Sequence, residues 1–313
     1  MREEFAIKHQ DIDSYNYICG RIKVLETNLL SKAALEELLH LPISGIYKEI
    51  IETPYRSFIT GSDADSISKA LFARYRAELS DMEKYVPIGF INAFFRSKEI
   101  FLKIKKWALV SSNEELEGLD RELKNFLETG EGDFPLEFKE VFDAMSKVKD
   151  YPFKAGWLLD LYYIKYLYHS AEQTKSELIK EFFNTYREGN LSIFLYRLSN
   201  FAISKEIDEK DFLEALHLVL KLFPDSAVSN NLKGVKTVDE FRELSRETFD
   251  EELRNKLLSV LEKCKYINVG IEVVFMYLKR LEFEVENLST IVRGKSMGMN
   301  EKEIAERISV VYA

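Results

Sequence analysis

The feature of this sequence that most constrains its fold is a helical period of apolar residues that recurs from one end to the other. Apolar side chains return every three or four residues, which places them on one face of an α-helix. The strict alternation of apolar and polar residues that a half-buried strand needs is hard to find. The pattern therefore predicts an all-α protein. The clearest runs are Ile18, Ile22, Leu25 and Leu29; Phe212, Leu216, Val219 and Phe223; and Leu253, Leu257 and Leu261.

Residues that start and stop helices divide this pattern into about a dozen predicted helices. Side chains that cap helix N-termini precede several runs, namely Ser31, Ser112 and Asn113, Asp208, and Asn300. The six prolines, together with the stretches 129–135 and 229–234, mark the breaks, because proline lacks an amide donor and restricts the residue before it. Long helices are predicted over residues 88–107 and 153–168, which are rich in aromatic side chains.

Length and composition indicate a globular protein with more than one packed unit. A chain of 313 residues exceeds the size at which a single core stops growing. The N-terminus is acidic and has no apolar run, which predicts no signal or transit peptide. The longest apolar stretches, 87–95 and 269–278, are too short to span a bilayer, which takes about 20 residues. Two isolated cysteines, Cys19 and Cys264, are expected to be buried thiols in a reducing compartment.

The charge of the chain is unevenly placed. A net charge of −9 argues against a role on nucleic acid, which requires clustered basic residues. Residues 96–106 nevertheless hold five bases and one acid, and residues 113–143 hold eleven acids and three bases. The contrast makes the basic stretch a candidate partner surface, although a solvated helix face is the alternative. The candidate partner-facing residues are Lys98, Lys103, Lys105 and Lys106.

Motifs that could carry catalysis or bind a metal or cofactor are incomplete. The segment Gly294-Lys295-Ser296 imitates the end of a phosphate-binding loop, but Ser289 stands where that loop needs a glycine. A calcium-loop-like start at Asp63 lacks its later glycine and glutamate, so helix capping is the better interpretation. The four histidines are isolated, and neither cysteine has the signature of an activated nucleophile. We therefore expect no enzymatic activity, no metal and no cofactor.

A weak internal repeat predicts three related helical units. Similar segments begin at Lys103, Asn190 and Asn287, roughly one hundred residues apart. The approximate boundaries are residues 1–86, 87–175 and 176–313. Chance similarity among amphipathic helices is the alternative explanation of the repeat.

Two segments, one near each end, carry a resemblance to a known family. The first covers residues 15–31 and is followed by Thr53-Pro54-Tyr55; the second covers residues 286–298. Together they resemble the opening and the ending of the C-type subunit of V/A-type ATPases, which in the eukaryotic vacuolar enzyme is called the d subunit. The residues that match the family motif are Arg21, Thr53, Tyr55, Asn287, Arg293 and Lys295.

The resemblance implies a non-catalytic rotor adaptor. It implies a funnel-like socket of three related helical units with pseudo-threefold symmetry, peripheral to the membrane on its cytoplasmic side. Such an adaptor receives the D and F subunits of the central stalk, rests on the proteolipid ring, and transmits torque for ion translocation coupled to ATP hydrolysis or synthesis. The motif residues are then expected to be structural. The alternative is a free-standing helical scaffold or regulator that binds partners in a concave groove.

Overall fold

The described part of the chain is built from helices. The structure, a computed structural model, describes residues 2–110, 121–132, 134–148, 151–245 and 250–308, and no strand occurs among them. The prediction of an all-α protein is confirmed. The α-helices are α1 (Asn16–Leu25), α2 (Lys32–His40), α3 (Ile43–Ile50), α4 (Ala64–Met82), α5 (Ile88–Ile91), α6 (Ser97–Val110), α7 (Arg121–Thr129), α8 (Leu136–Ser146), α9 (Pro152–Glu172), α10 (Glu177–Ile203), α11 (Glu209–Leu222), α12 (Ala227–Leu232), α13 (Val238–Leu244), α14 (Asp250–Glu262), α15 (Ile271–Ser296) and α16 (Glu301–Ala305).

Shorter helical turns complete the backbone. They are the 3-10 turns Arg2–Phe5, Ile12–Tyr15, Glu26–Asn28, Pro54–Phe58 and Lys263–Tyr266, and the π-helical segment Asn92–Arg96. None of the helices in the described ranges has both the length and the hydropathy that crossing a bilayer requires.

Those predicted capping residues that the structure describes all lie at helix starts. Ser31 accepts a backbone N–H bond of 3.2 Å at the start of α2. Asn300 and Glu303 form a reciprocal capping box at the start of α16. Asp208 precedes α11 but makes no side-chain cap bond. Residues 112 and 113 lie outside the described residues.

Two local features differ from the sequence prediction. The helix predicted over 88–107 contains the π-helical segment between α5 and α6. There the Asn92 amide donates to the carbonyl of Glu4 at 2.9 Å, and the Ser97 hydroxyl donates to the carbonyl of Ala93 at 2.7 Å. The break predicted at 229–234 comes later, because α12 occupies most of that stretch and ends just before Gly234, whose φ is +94°.

The chain divides into two compact units. The first, the middle unit, consists of Met1–His9 and Pro87–Thr248; the second, the terminal unit, consists of Gln10–Val86 and Phe249–Ala313. Each unit combines stretches that are distant in sequence. The division into three related units with boundaries near residues 86 and 175 stays a prediction.

The terminal unit is organised around α15. This helix is buried over most of its circumference, from Val273 to Val292, as expected of a helix that is apolar on nearly all sides. It packs along α4, and α1, α2, α3 and α16 lie against it. The apolar run of α1 contributes Ile18 and Ile22, both fully buried.

A buried ion pair joins α4 to α15 inside this unit. The Glu284 carboxylate, fully buried, accepts hydrogen bonds from the Tyr55 hydroxyl at 2.7 Å, the Leu30 amide at 2.6 Å and the Arg74 guanidinium at 3.3 Å. Arg74 also lies over the Tyr55 ring, 4.3 Å from its centroid. Burial raises the pKa of Glu284 above its ordinary value, although these three donors oppose the shift. The Glu284 carboxylate thus connects α15 to three stretches of chain, those that contain Leu30, Tyr55 and Arg74.

The middle unit contains two apolar clusters. The aromatic cluster surrounds Phe138, which contacts the rings of Phe5, Phe101, Phe134 and Tyr166 at centroid distances of 4.9–6.1 Å. The second cluster lies between α9, α10, α11 and α13. It includes Trp157, Leu161 and Ile164, which follow one another at helical spacing along α9.

The N-terminal residues belong to the middle unit because a glycine lets them approach α5. A Cβ on Gly89 would overlap the carbonyl oxygen of Ala6. This close approach brings Phe5 into the aromatic cluster, where it is buried. Glycine is therefore required at position 89 for packing and not for an unusual φ.

A second buried arginine fastens the middle unit. Arg187 of α10 stacks over the Tyr168 ring of α9 at 3.8 Å and donates to Asp225 at 2.9 Å and to Asn184 at 2.8 Å. The adjacent Glu188 accepts the Val228 amide at 3.1 Å, which fixes the start of α12.

The buried pair in the terminal unit generates a stability prediction. We expect Arg74→Ala or Glu284→Ala to lower the free energy of unfolding by about 3–5 kcal/mol, because each leaves an uncompensated buried charge. Arg74→Met combined with Glu284→Leu should cost less than the sum of the two single changes, because it leaves no unpaired charge. It should still destabilise the unit, because the Tyr55 hydroxyl and the Leu30 amide lose their acceptor. Urea unfolding followed by circular dichroism measures the difference.

The exposed i,i+4 pair of Lys69 and Asp65 on α4 supplies the control. Lys69→Ala should leave the free energy of unfolding nearly unchanged, because an exposed ion pair contributes little to stability. If Arg74→Ala and Glu284→Ala change the free energy of unfolding as little as Lys69→Ala does, the buried pair does not stabilise the unit.

Candidate functional site

The described residues contain no group of three or more His, Cys, Asp or Glu side chains arranged to hold a metal ion. Two of the histidines instead contact single carboxylates. His40 Nδ1 lies 2.9 Å from Glu301 Oε2, and His169 Nδ1 lies 3.3 Å from Glu137 Oε1. The hydrogen bond from His169 lowers the pKa of Glu137. Both contacts connect neighbouring helices.

The segment that imitates a phosphate-binding loop is the last turn of α15. A Cβ on Gly294 would lie 2.7 Å from Cγ1 of Ile304, so the glycine makes room for α16. Lys295 places its ammonium 3.4 Å from Glu301 at the start of α16. The backbone amides of this turn belong to a helix, whereas a phosphate-binding loop needs them turned toward the ligand.

Asp63 caps the start of α4. Its carboxylate accepts from the amides of Asp65 at 3.1 Å and Ser66 at 2.9 Å. The Ser66 hydroxyl, followed by these amides, lowers the pKa of Asp63. The geometry agrees with helix capping, the interpretation favoured over a calcium loop.

Both cysteines are free and buried, as expected. Burial raises the pKa of Cys264 to about 12, and it also raises the pKa of Cys19. The Cys19 thiol donates to the carbonyl of Gly270 at 3.5 Å. A nucleophilic cysteine needs a lowered pKa, so these two thiols have the opposite environment.

Three motif residues near the N-terminus make contacts within the terminal unit. Arg21 pairs with Asp81 and donates to the Tyr85 hydroxyl at 3.3 Å, which ties α1 to the end of α4. Thr53 accepts the Tyr55 amide at 3.3 Å and so caps the turn Pro54–Phe58. Tyr55 then reaches the buried carboxylate of α15, as described above.

The motif residues Asn287 and Arg293 line an open pocket in the terminal unit. The pocket has a volume of about 250 Å³ and is called the arginine pocket below. Arg254 of α14 donates to the backbone carbonyl of Arg307 at 2.7 Å, which fixes α14 against the residues that follow α16. The lining residues are Phe72, Arg254, Glu286, Asn287, Ser289, Thr290, Arg293 and Arg307.

The structure separates the four candidate lysines of α6. Lys98 and Lys103 are exposed, whereas Lys105 is half-buried, with its ammonium 3.3 Å from Asp160 of α9. The side chain of Lys106 lies outside the described residues. The partner-facing role of these lysines stays a prediction, and Lys98 and Lys103 are the two that the structure leaves at the surface.

Part of the acidic stretch lies outside the described residues, namely 113–120 and Asp133. Two of its remaining acids face α9. Glu140 accepts a bond of 2.6 Å from Lys165, and Glu137 contacts His169. These acids therefore help to pack α8 against α9.

A family model described as ATP synthase (C/AC39) subunit matches residues 18–307. The matched range includes all six motif residues and the arginine pocket. No curated protein matches the chain.

The packing of Gly294 generates a prediction whose sign depends on its neighbour. Gly294→Ala should destabilise the chain by about 1–3 kcal/mol, because the new methyl group presses on Ile304. In an Ile304→Ala background the same substitution should stabilise by roughly 0.5–1 kcal/mol, because alanine is then the better helix residue. Thermal unfolding of the unsubstituted chain, the two single variants and the double variant gives a double-mutant cycle that measures the coupling between positions 294 and 304.

Gly20→Ala on α1 is the matched control, since a Cβ there meets nothing within 4 Å. It should stabilise the chain in both backgrounds. Equal effects of Gly294→Ala with and without Ile304 would refute the packing role of this glycine.

Proposed function

The chain belongs to the family of ATP synthase C/AC39 subunits, and on this premise we propose that it is the non-catalytic rotor adaptor of a V/A-type ATPase. In this role it links the central stalk to the proteolipid ring of the membrane sector. Its partners are the D and F subunits of the stalk and the ring itself. It transmits torque for ion translocation coupled to ATP hydrolysis or synthesis. The family match over residues 18–307 is the observation that carries the proposal.

The packing of the terminal unit supports a mechanical role. A stalk and a ring of many subunits cannot match each other directly, so the part between them has to transmit torque without yielding. Close-packed helices have low compressibility and transmit strain. The buried ion pair between Arg74 and Glu284 also holds α4 and α15 in one relative position, because its hydrogen bonds form only in a specific geometry.

The contacts of the motif residues support a structural role for four of them. Arg21, Thr53 and Tyr55 fasten α1, the turn Pro54–Phe58 and α15, and Lys295 contacts the start of α16. We propose no reaction for the chain and place it on the cytoplasmic side of the membrane, peripheral to it. We further propose a funnel-like socket of three related units with pseudo-threefold symmetry.

The proposal is tested by assembling the complex with and without this chain. Membranes that carry the ring are mixed with the catalytic sector and its D and F subunits, and ATP-driven ion uptake is followed with a fluorescent indicator. Without the chain we expect ATP hydrolysis but no ion gradient, because the shaft does not engage the ring. Adding the chain should restore the gradient.

Copurification distinguishes the alternative. An adaptor should be recovered with both the stalk and the ring, each immobilised separately. A chain that binds neither, or an ion gradient that forms in its absence, would contradict the proposal and favour a free-standing scaffold.

The exposed lysines of α6 generate a prediction about assembly. Lys98→Glu combined with Lys103→Glu should slow association with the stalk or the ring, chiefly at low salt. Charge complementarity acts mainly on the association rate, and its range falls to about 8 Å at physiological ionic strength. Surface-binding kinetics at two ionic strengths measure the effect.

Two exposed lysines elsewhere in the middle unit, Lys175 and Lys210, provide the control. Their double reversal makes the same change in net charge and should leave the rates nearly unchanged. If the two double variants associate equally with both partners, the basic stretch of α6 is a solvated face.

A further inference from the structure

We propose that the arginine pocket of the terminal unit binds a phosphate group, carried either by a small soluble molecule or by a lipid headgroup. The inference is independent of the rotor-adaptor proposal, because it rests on the side chains of one unit. Three arginines, Arg254, Arg293 and Arg307, are among the residues that line the pocket.

The fold brings these arginines together from three stretches of chain. Arg254 lies on α14 and Arg293 near the end of α15, and Arg307 follows α16. The bond from Arg254 to the carbonyl of Arg307 holds two of the stretches at a fixed separation. Arg293 lies on the face of α15 that also presents Glu286 and Thr290, because the three are spaced by four and three residues.

The charge balance of the pocket favours an anion. Among its lining residues Glu286 supplies the negative charge, against the three arginines. Gathering like charges costs free energy, which a bound anion offsets. The chain as a whole carries a net charge of −9, so a basic pocket is not a consequence of its composition.

The number of guanidinium groups favours a phosphate over a carboxylate. A carboxylate offers two oxygens and one charge, which one guanidinium fork can satisfy. A phosphate monoester offers three acceptor oxygens and a charge of about −1.5 to −2 at neutral pH. The charge of a phosphate monoester therefore matches the net positive charge of three arginines and one glutamate.

The rest of the lining suits such a ligand. Asn287 and Ser289 are buried polar residues in the wall of the pocket. The Thr290 hydroxyl donates to the Glu286 carbonyl at 2.8 Å, so its position is fixed. A volume of about 250 Å³, against roughly 30 Å³ for each water in the liquid, accommodates a phosphate and part of the group attached to it.

The test titrates inorganic phosphate and pyrophosphate into the full-length chain by calorimetry at low salt. We expect saturable binding that weakens as salt is added. Arg293→Gln combined with Arg307→Gln should reduce the affinity at least about tenfold, because charge-assisted hydrogen bonds are lost. Glu286→Gln should increase the affinity, because it removes the repulsive carboxylate.

Two controls locate the site. Lys48→Gln with Arg56→Gln removes two exposed charges elsewhere in the terminal unit and should leave binding unchanged. Lys295→Ala should also leave it unchanged, because this lysine belongs to the contact with α16. Circular dichroism checks the fold of each variant, and Glu286→Gln tests the proposal even if the double arginine variant does not fold.

A second arm distinguishes the two sources of phosphate. Sedimentation with phosphatidate vesicles, compared with phosphatidylcholine vesicles, detects a lipid headgroup. Binding to phosphatidate without binding of the free anions assigns the lipid source, and the reverse assigns a soluble ligand. Absence of both, or binding that the arginine and Glu286 substitutions do not alter, overturns the proposal.

Discussion

The buried carboxylate of Glu284 is the contact on which the terminal unit depends. An ionised group without water is costly to bury, and it is tolerated only when opposite charge and hydrogen bonds replace its solvation. Its three donors are 254, 229 and 210 residues away in sequence, at Leu30, Tyr55 and Arg74. The two ends of the chain must therefore meet before the carboxylate is satisfied. The packing of α15 with α1, α2, α3 and α4 meets this requirement.

Helical periodicity predicted the fold class and many helix starts, because both are local properties. Ser31 and Asn300 cap helices, and Pro152 begins α9, as their residue types indicate. The π-helical segment was not predicted, and its first residue, Asn92, makes a contact that periodicity does not reveal, with the carbonyl of Glu4, 88 residues away. The pairing of the two chain ends in one unit was not predicted either. Periodicity shows which face of a helix is apolar, but it does not show which element covers that face.

Only some of the residues of the arginine pocket could be singled out from the sequence. The family resemblance singled out Asn287 and Arg293, which lie on one helix. Arg254 and Arg307 carry no local signal, because each sits in an ordinary charged stretch and 53 residues separate them. Only the packing of α14 and of the residues after α16 against α15 brings them together. Conversely, Gly294 and Lys295 looked like a phosphate motif by spacing alone, and the structure uses both to dock α16.

Two sets of arginines in this chain have different surroundings. Arg74 and Arg187 are buried, and each pairs with a carboxylate and stacks on a tyrosine ring, at 4.3 and 3.8 Å. Such guanidinium groups have their charge and planar faces satisfied within the protein. The arginine pocket, by contrast, is lined by three arginines and by one carboxylate residue, Glu286. Arg74 and Arg187 are paired with carboxylates inside the protein, whereas the arginines of the pocket carry positive charge that a bound anion would balance.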